Sequence, residues 1–258
     1  MATIFSILFW LFFAASCVVF FAVAVILWIL TWPFDRDRRL NHLFSSLWAA
    51  TYAVIYPGWR VKVTGRQHIA PQKAYVLVAN HTSIADVVLL FCLFRQFKWV
   101  SKTSVFRVPF LGWNMWLSRY VPLLRGDKES VKRMLEDCRR WLSRGMSILM
   151  FPEGTRSKDG VLLPFKPGAF SLASELGVPV IPIAIHGGHL LIPKHGKRFA
   201  ARAELWVEVL EPIAAADPEA LMEATRARLV SALGPSALRV QDPSPRLTDD
   251  GGAIATTL

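Results

Sequence analysis

The chain has 258 residues, of which 53% are hydrophobic, and its 30 basic and 19 acidic residues give a net charge of +11. This size suits one compact domain with an appendage, and so large an apolar share is unusual for a soluble protein. The basic balance indicates an anionic partner surface, whereas the lack of a recognition motif or a Lys/Arg-rich block argues against nucleic acid, and three scattered cysteines indicate neither a disulfide framework nor a zinc site.

An uncharged apolar run from Ile4 to Leu30 opens the chain and is long enough to cross a bilayer. No basic residue precedes this run, so it lacks the start of a cleaved signal peptide and predicts a retained membrane helix. Arg36, Arg38 and Arg39 follow it, and the positive-inside rule then places the rest of the chain on the cytoplasmic side. A second, shorter apolar stretch at 40–56 predicts either a hairpin with the first segment or a helix lying in the membrane interface.

We therefore expect membrane-anchoring helices in residues 1–57, in a bacterial inner membrane or, as the second choice, in the endoplasmic reticulum. From residue 58 to 238 strand-like and helical segments alternate, which predicts an α/β domain with a mostly parallel or mixed sheet flanked by helices. Residues 109–120 are aromatic and broken by glycine, and 239–258 predict a disordered tail. Strands are expected at 59–64, 74–79, 97–101, 121–124, 147–151, 178–185 and 203–210, and helices at 83–94, 127–144, 168–176 and 218–233.

The first polar cluster places His81 directly after a buried-type strand and Asp86 about one turn into the next helix. A carboxylate that bonds one imidazole nitrogen fixes the tautomer and stabilises the imidazolium formed when the other nitrogen takes a proton. The competing interpretation is a histidine that caps the helix and an aspartate that faces water.

The second cluster, from Phe151 to Arg156, follows another strand and combines an acid, a hydroxyl and a guanidinium on a glycine-containing turn. The planar fork of an arginine suits phosphate, and Glu153 suits either a substrate hydroxyl or the histidine region. Taken alone, these residues would also fit a surface turn with an ion pair. If the two clusters converge, they form a site that deprotonates a hydroxyl group beside an anion, as acyl transfer to a phosphorylated alcohol requires.

At these residues the chain resembles the glycerolipid acyltransferase family, of the 1-acyl-sn-glycerol-3-phosphate acyltransferase (lysophosphatidic acid acyltransferase) type. Residues 81–86 match its His-x4-Asp motif, and residues 151–157 match its Phe-Pro-Glu-Gly-Thr-Arg-Ser motif. The segment 112–125 resembles the motif between them, with Arg125 at its arginine, and 178–182 resembles the fourth, apolar motif.

The resemblance implies transfer of an acyl chain from acyl-CoA or acyl carrier protein to the sn-2 hydroxyl of 1-acylglycerol-3-phosphate, giving phosphatidic acid for phospholipid synthesis. It implies that His81 is the general base and that Asp86 orients it, with direct attack because no Gly-x-Ser-x-Gly motif offers a covalent serine. We expect no metal or bound cofactor. The residues implied in substrate binding are Arg125, Glu153, Gly154, Thr155, Arg156 and Lys102.

Two alternatives stay open. The same chemistry would serve another lysophospholipid, a lyso-aminolipid or glycerol 3-phosphate. A protein of this fold without turnover would instead be an anionic-lipid-binding membrane protein.

Overall fold

The computed structural model describes residues 2–55, 58–192, 196, 198–200 and 202–238, and the tail predicted at 239–258 lies outside this range. Two helices, α1 (Ala2–Thr31) and α2 (Arg39–Val54), precede the sheet. The strands are β1 (Trp59–Thr64), β2 (Val76–Ala79), β3 (Phe97–Lys102), β4 (Val121–Leu123), β5 (Ser147–Met150), β6 (Val180–His186) and β7 (Ala203–Val209), and the later helices are α3 (Ala85–Phe91), α4 (Leu111–Leu117), α5 (Lys128–Ser143), α6 (Gly168–Leu176), α7 (Gly188–Leu191) and α8 (Pro218–Leu233).

All seven strands named above belong to one sheet, in the order β1-β7-β6-β2-β5-β3-β4. Neighbouring strands are parallel except for β6 and β7, so the predicted mixed, mostly parallel sheet is confirmed. The five strands from β6 to β4 therefore end at one side of the sheet, which we call the carboxyl edge. Because β7 runs against β6, the strands β1 and β7 begin at this edge.

Helices cover both faces of the sheet because strand side chains alternate between the two. Leu77 and Ala79 of β2 face the layer that contains α1, α2 and α3. Their neighbours Val76 and Val78 face α5, α6 and α8. The strand is buried on both sides, which explains its unbroken apolar sequence.

Helix α1 lies against the rest of the protein over most of its length. Near its start, the ring of Phe9 packs 4.5 Å from that of Phe199, centroid to centroid. Two-thirds of the way along, Phe21 packs 5.9 Å from Phe110. Within the described residues, only the segment Ile4–Thr31 is long and apolar enough to cross a membrane.

Helix α2 packs back on α1 through polar as well as aromatic contacts. The hydroxyl groups of Ser16 and Tyr52 are 2.7 Å apart, and the Nδ2 of Asn41 donates to the carbonyl oxygen of Ala24 at 3.2 Å. The outward sides of both helices carry exposed aliphatic residues, among them Ile4, Ile7, Leu8, Leu11, Val18, Val19, Ile26, Ile29, Leu40, Leu43 and Leu47.

Helix α4 occupies the stretch in which the sequence analysis assigned no helix. A Cβ on Gly112 would overlap the carbonyl of Phe106, so the glycine permits close packing rather than ending a helix. Phe110, two residues before Gly112, has a positive φ of 61°, and this backbone conformation directs the chain into the helix. Neither effect has a periodic signature in the sequence.

Candidate active site

The site begins where β2 ends at the carboxyl edge. The side-chain amide of Asn80 is buried and bonds the backbone of Ile185 twice, donating to its oxygen at 3.0 Å and accepting from its N–H at 2.8 Å. These bonds fix the end of β2 to β6. The next residue, His81, is thereby held at the edge of the sheet.

His81 and Asp86 form a hydrogen-bonded pair with 2.9 Å between Nδ1 and Oδ2. The same carboxylate oxygen accepts the backbone N–H groups of Thr82 at 2.7 Å and Ser83 at 2.8 Å. Because this oxygen acts as an acceptor for three groups, Nδ1 of the imidazole carries the proton. Nε2 is then the ring nitrogen that can accept a proton.

Phe151 holds the imidazole from one face. Its ring stacks on that of His81 with centroids 3.8 Å apart and planes inclined by 9°. Trp99 lies behind Phe151 at a centroid distance of 5.8 Å. The His81 side chain keeps 12% of its surface exposed while that of Asp86 is fully buried, so solvent or substrate reaches the histidine alone.

Glu153 joins the two sequence clusters. Its Oε1 accepts the backbone N–H of His81 at 2.7 Å, and its Oε2 accepts that of Leu163 at 3.0 Å. Burial raises the pKa of this carboxyl group to about 7, against the opposing effect of its two backbone donors. The backbone N–H of Ser157 also donates to the carbonyl of His81 at 2.7 Å. The sequence predicted that Glu153 binds either a substrate hydroxyl or the histidine region, and in the structure it binds the backbone of His81.

The turn after Glu153 carries the residues expected to bind an anion. Gly154 has a φ of +67°, a backbone conformation that favours glycine, and the end of the Lys166 side chain lies close to where a Cβ would be. Thr155 is exposed and Arg156 is half-buried. The turn therefore presents a hydroxyl and a guanidinium at the carboxyl edge.

Arg125 and Lys102 reach the same edge from β4 and β3. Arg125 is exposed by surface area, yet partial desolvation of its guanidinium lowers its pKa, and the charge of Arg156 lowers it further. Lys102 is the exposed last residue of β3. Positive groups thus lie at the same edge of the sheet as the His81–Asp86 pair, an arrangement that attracts a phosphate.

The stacking of Phe151 on His81 and the hydrogen bonds of Asn80 to Ile185 were not predicted from the sequence, whereas the histidine region was one of the two partners predicted for Glu153. Phe151 and Asn80 lie inside the clusters that the sequence analysis singled out, but their partners lie on distant segments.

His186 ends β6, His189 lies in α7, and His195 lies outside the described residues. Among the described residues, no three His, Cys, Asp or Glu side chains are grouped so that they could hold a metal ion.

Comparison with known proteins gives a consistent result. The sequence profile of the family described as Acyltransferase matches residues 60–186. The chain is 39% identical over 220 residues to a 1-acyl-sn-glycerol-3-phosphate acyltransferase of Chlamydomonas reinhardtii, covering 83% of this chain and 65% of that protein. It is 33% identical over 215 residues to a chloroplastic protein of the same name from Arabidopsis thaliana, covering 81% and 60%. The chain spans no more than about two thirds of the length of these relatives.

A solved structure shows the same fold. The crystal structure of the 1-acyl-sn-glycerophosphate (LPA) acyltransferase PlsC from Thermotoga maritima superposes with a TM-score of 0.72. The two chains are 24% identical, and the match covers 90% of this chain and 96% of the other. The N-terminal helices therefore belong to an architecture found in another protein.

Proposed function

We propose that this chain, whose residues 60–186 match the Acyltransferase profile, is a member of that family and moves an acyl chain from a thioester to the sn-2 hydroxyl of a 1-acylglycerol-3-phosphate. The product is phosphatidic acid. The observation that carries this proposal is the buried His81–Asp86 pair at the carboxyl edge, next to the turn that bears Arg156. Relatives that are named for this acceptor support the choice of substrate.

The proton leaves the acceptor as its oxygen attacks. Nε2 of His81 takes the hydroxyl proton while the oxygen forms a bond with the thioester carbonyl carbon, and the tetrahedral intermediate then expels the thiolate. The imidazolium returns its proton to the sulfur, so the histidine ends the cycle neutral. Asp86 keeps Nδ1 protonated and stabilises the transient imidazolium.

The acceptor phosphate is matched by the arginine pair. Desolvation is the larger cause of the lowered pKa of Arg125, and repulsion by the guanidinium of Arg156 adds to it. An anion bound by both groups would relieve this repulsion. Lys102, at the same edge, adds a third positive charge. A phosphate-bearing acceptor is therefore favoured over a lyso-aminolipid that lacks phosphate. A protein that only binds lipid would have no use for a buried carboxylate that orients a histidine.

The N-terminal helices seat the domain on a phospholipid membrane. In the most apolar 18-residue stretch of α1, only 17% of the residues are buried within the protein, so the outward side of the helix is available to lipid. Since α1 contacts the domain through Phe9 and again through Phe21, a helix pair lying at one leaflet fits better than a single span that stands apart from the domain. Arg36, Arg38 and Arg39 favour the cytoplasmic surface, and a bacterial inner membrane is our choice.

The experiment is a thiol-release assay on purified protein in mixed micelles. The acyl donors are acyl-CoA and acyl carrier protein thioesters, and the acceptors are 1-acylglycerol-3-phosphate, glycerol 3-phosphate and a neutral monoacylglycerol. We expect release that requires 1-acylglycerol-3-phosphate and falls by about 10²- to 10⁴-fold in kcat for His81→Ala, the usual contribution of a general base.

A second variant tests the acceptor site. Arg156→Gln should raise KM for 1-acylglycerol-3-phosphate by more than tenfold, whereas Arg133→Gln, the same charge change on the exposed side of α5, should leave it unchanged. Release with a different acceptor would keep the mechanism and replace the substrate. Full activity of His81→Ala, or no transfer from either donor to any acceptor, would contradict the proposal.

A further inference from the structure

We propose that Gly188 is a positioning residue, which keeps Asp86 directed at His81; this inference rests on the proposed function. Gly187 and Gly188 follow β6 at the carboxyl edge. They lie about one hundred residues after the His81–Asp86 pair in the sequence. The sequence marks them only as a flexible connection. The structure gives them a defined contact with the catalytic carboxylate.

The contact leaves no room for a side chain. A Cβ on Gly188 would overlap Oδ1 of Asp86 and lie 3.1 Å from Oγ1 of Thr82. Asp86 cannot turn away freely, because its Oδ2 accepts hydrogen bonds from His81, Thr82 and Ser83. A methyl group at position 188 would therefore have to displace the carboxylate and disturb these bonds.

The glycine cannot retreat in the opposite direction either. Gly187 has a φ of +79°, and a Cβ there would overlap the carbonyl of Glu204 in β7. On the far side of α7, the carbonyl of Ile192 accepts the hydroxyl of Ser83 at 2.8 Å. The two-glycine connection is thus confined between β7 and the loop that bears the catalytic pair.

The first test is kinetic. Gly188→Ala should lower kcat by about 10- to 100-fold with little change in KM for the acceptor, because a misplaced catalytic group loses rate rather than binding. Gly168→Ala is the matched control: the same methyl group would meet only Leu135 Cδ2, at 3.6 Å, which is an ordinary contact. Equal kcat values for the two variants would overturn the inference.

The second test asks whether Gly188 acts through Asp86. In an Asp86→Ala background the overlapping oxygen is gone, so adding Gly188→Ala should change neither the residual kcat nor the melting temperature by a measurable amount. If Gly188→Ala alone folds poorly, the comparison of melting temperatures with and without the Asp86 carboxylate still tests the inference. If Gly188→Ala is equally harmful with and without the Asp86 carboxylate, backbone strain is the cause and the inference is wrong.

The third test does not depend on turnover. The backbone N–H groups of Thr82 and Ser83 donate to Asp86, so their hydrogen–deuterium exchange should accelerate in Gly188→Ala and stay unchanged in Gly168→Ala. An inactive wild-type protein that shows this difference would refute the proposed function and support the positioning role. An active wild type with unchanged exchange and unchanged kcat in Gly188→Ala would refute the positioning role alone.

Discussion

Glu153 shows how a single carboxyl group links two distant motifs. It is 5% exposed, and both of its oxygens accept backbone N–H groups, one from His81 and one from Leu163. A buried carboxyl group with a raised pKa favours the protonated form in the folded state. The loop geometry at His81 therefore depends on a group that titrates near neutral pH.

This raised pKa predicts a pH-dependent stability with a defined sign. Between pH 4.5, the ordinary value, and about 7, the folded state holds a proton that the unfolded state has lost, so stability falls as the pH rises. The shift corresponds to about 3 kcal/mol over this interval. Glu153→Gln removes the titration, and the variant should gain stability relative to the wild type as the pH rises from 4.5 to 7, as measured by unfolding midpoints in detergent.

An exposed glutamate provides the control for that measurement. Arg139 bonds Glu175 and lowers the pKa of its carboxyl group, so Glu175→Gln should lose stability relative to the wild type as the pH rises through the acidic range. As the pH rises, the stability relative to the wild type should therefore increase for Glu153→Gln and decrease for Glu175→Gln. A difference between wild type and Glu153→Gln that does not change with pH would contradict the burial argument.

The sequence located the residues of the site better than it located their partners. His81 and Asp86 lie five positions apart across a strand-to-helix turn, and that spacing, together with the second polar cluster, predicted the pair that the structure brings together. Their catalytic roles stay predictions. The partners of Glu153 are backbone N–H groups, and every residue but proline has one, so no sequence pattern could single them out. The contact of Gly188 with Asp86 depends on the alignment of β6 beside β2, which is likewise invisible in the chain itself.

Helix α1 has two chemically similar sides with different roles. Phe9 faces inward against Phe199 and Trp59, whereas its neighbour Leu8 is 59% exposed. Because the helix is apolar all round, hydrophobic periodicity could not tell these sides apart. The sequence could therefore predict the helix but not the surface by which it joins the domain.

The two sides predict different consequences for two adjacent substitutions. Phe9→Ala should lower the free energy of unfolding in detergent by about 3 kcal/mol, the usual cost of removing a buried aromatic ring. Leu8→Ala should change it by less than about 0.5 kcal/mol but weaken binding to phospholipid vesicles roughly tenfold, since a leucine side chain leaves the lipid. Denaturant unfolding and vesicle flotation measure the two effects. Equal destabilisation by both variants would show that α1 is not docked as described.

Helix α4 illustrates why short elements escaped prediction. It has seven residues and contains Gly112, which usually counts against a helix. Its place is set by close packing on the carbonyl of Phe106. Longer segments such as α5 and α8, with acidic N-caps at Asp127 and Asp217, agree with the expected boundaries within a residue.

The protein is built with its N-terminal helices as part of the core rather than as a separate anchor. Aromatic residues of α1, α2 and the sheet form one continuous apolar cluster with the layer beneath β2. The boundary expected near residue 57 therefore marks a change of composition, while the packing runs across it.

Removal of residues 1–31 is expected to destroy the fold instead of releasing a soluble enzyme. The deletion would uncover Tyr52, Trp59 and Phe199, which are buried in the intact protein. We expect the truncated chain to aggregate or to lose its cooperative thermal transition, as shown by size-exclusion chromatography and near-UV circular dichroism. A monodisperse truncated protein that retains thiol release in detergent would show that α1 is a detachable anchor.

The antiparallel pairing of β7 with β6 has a consequence for how substrate arrives. It turns β1 and β7 so that they begin at the carboxyl edge, and the first turns of α1 pack there against Trp59. The exposed apolar side of α1 thus reaches the same edge as His81, where Ile84 and Leu190 are also exposed. Under the proposed function, a lysolipid would enter by lateral diffusion within its leaflet, so turnover would follow the mole fraction of acceptor in the surface rather than its bulk concentration.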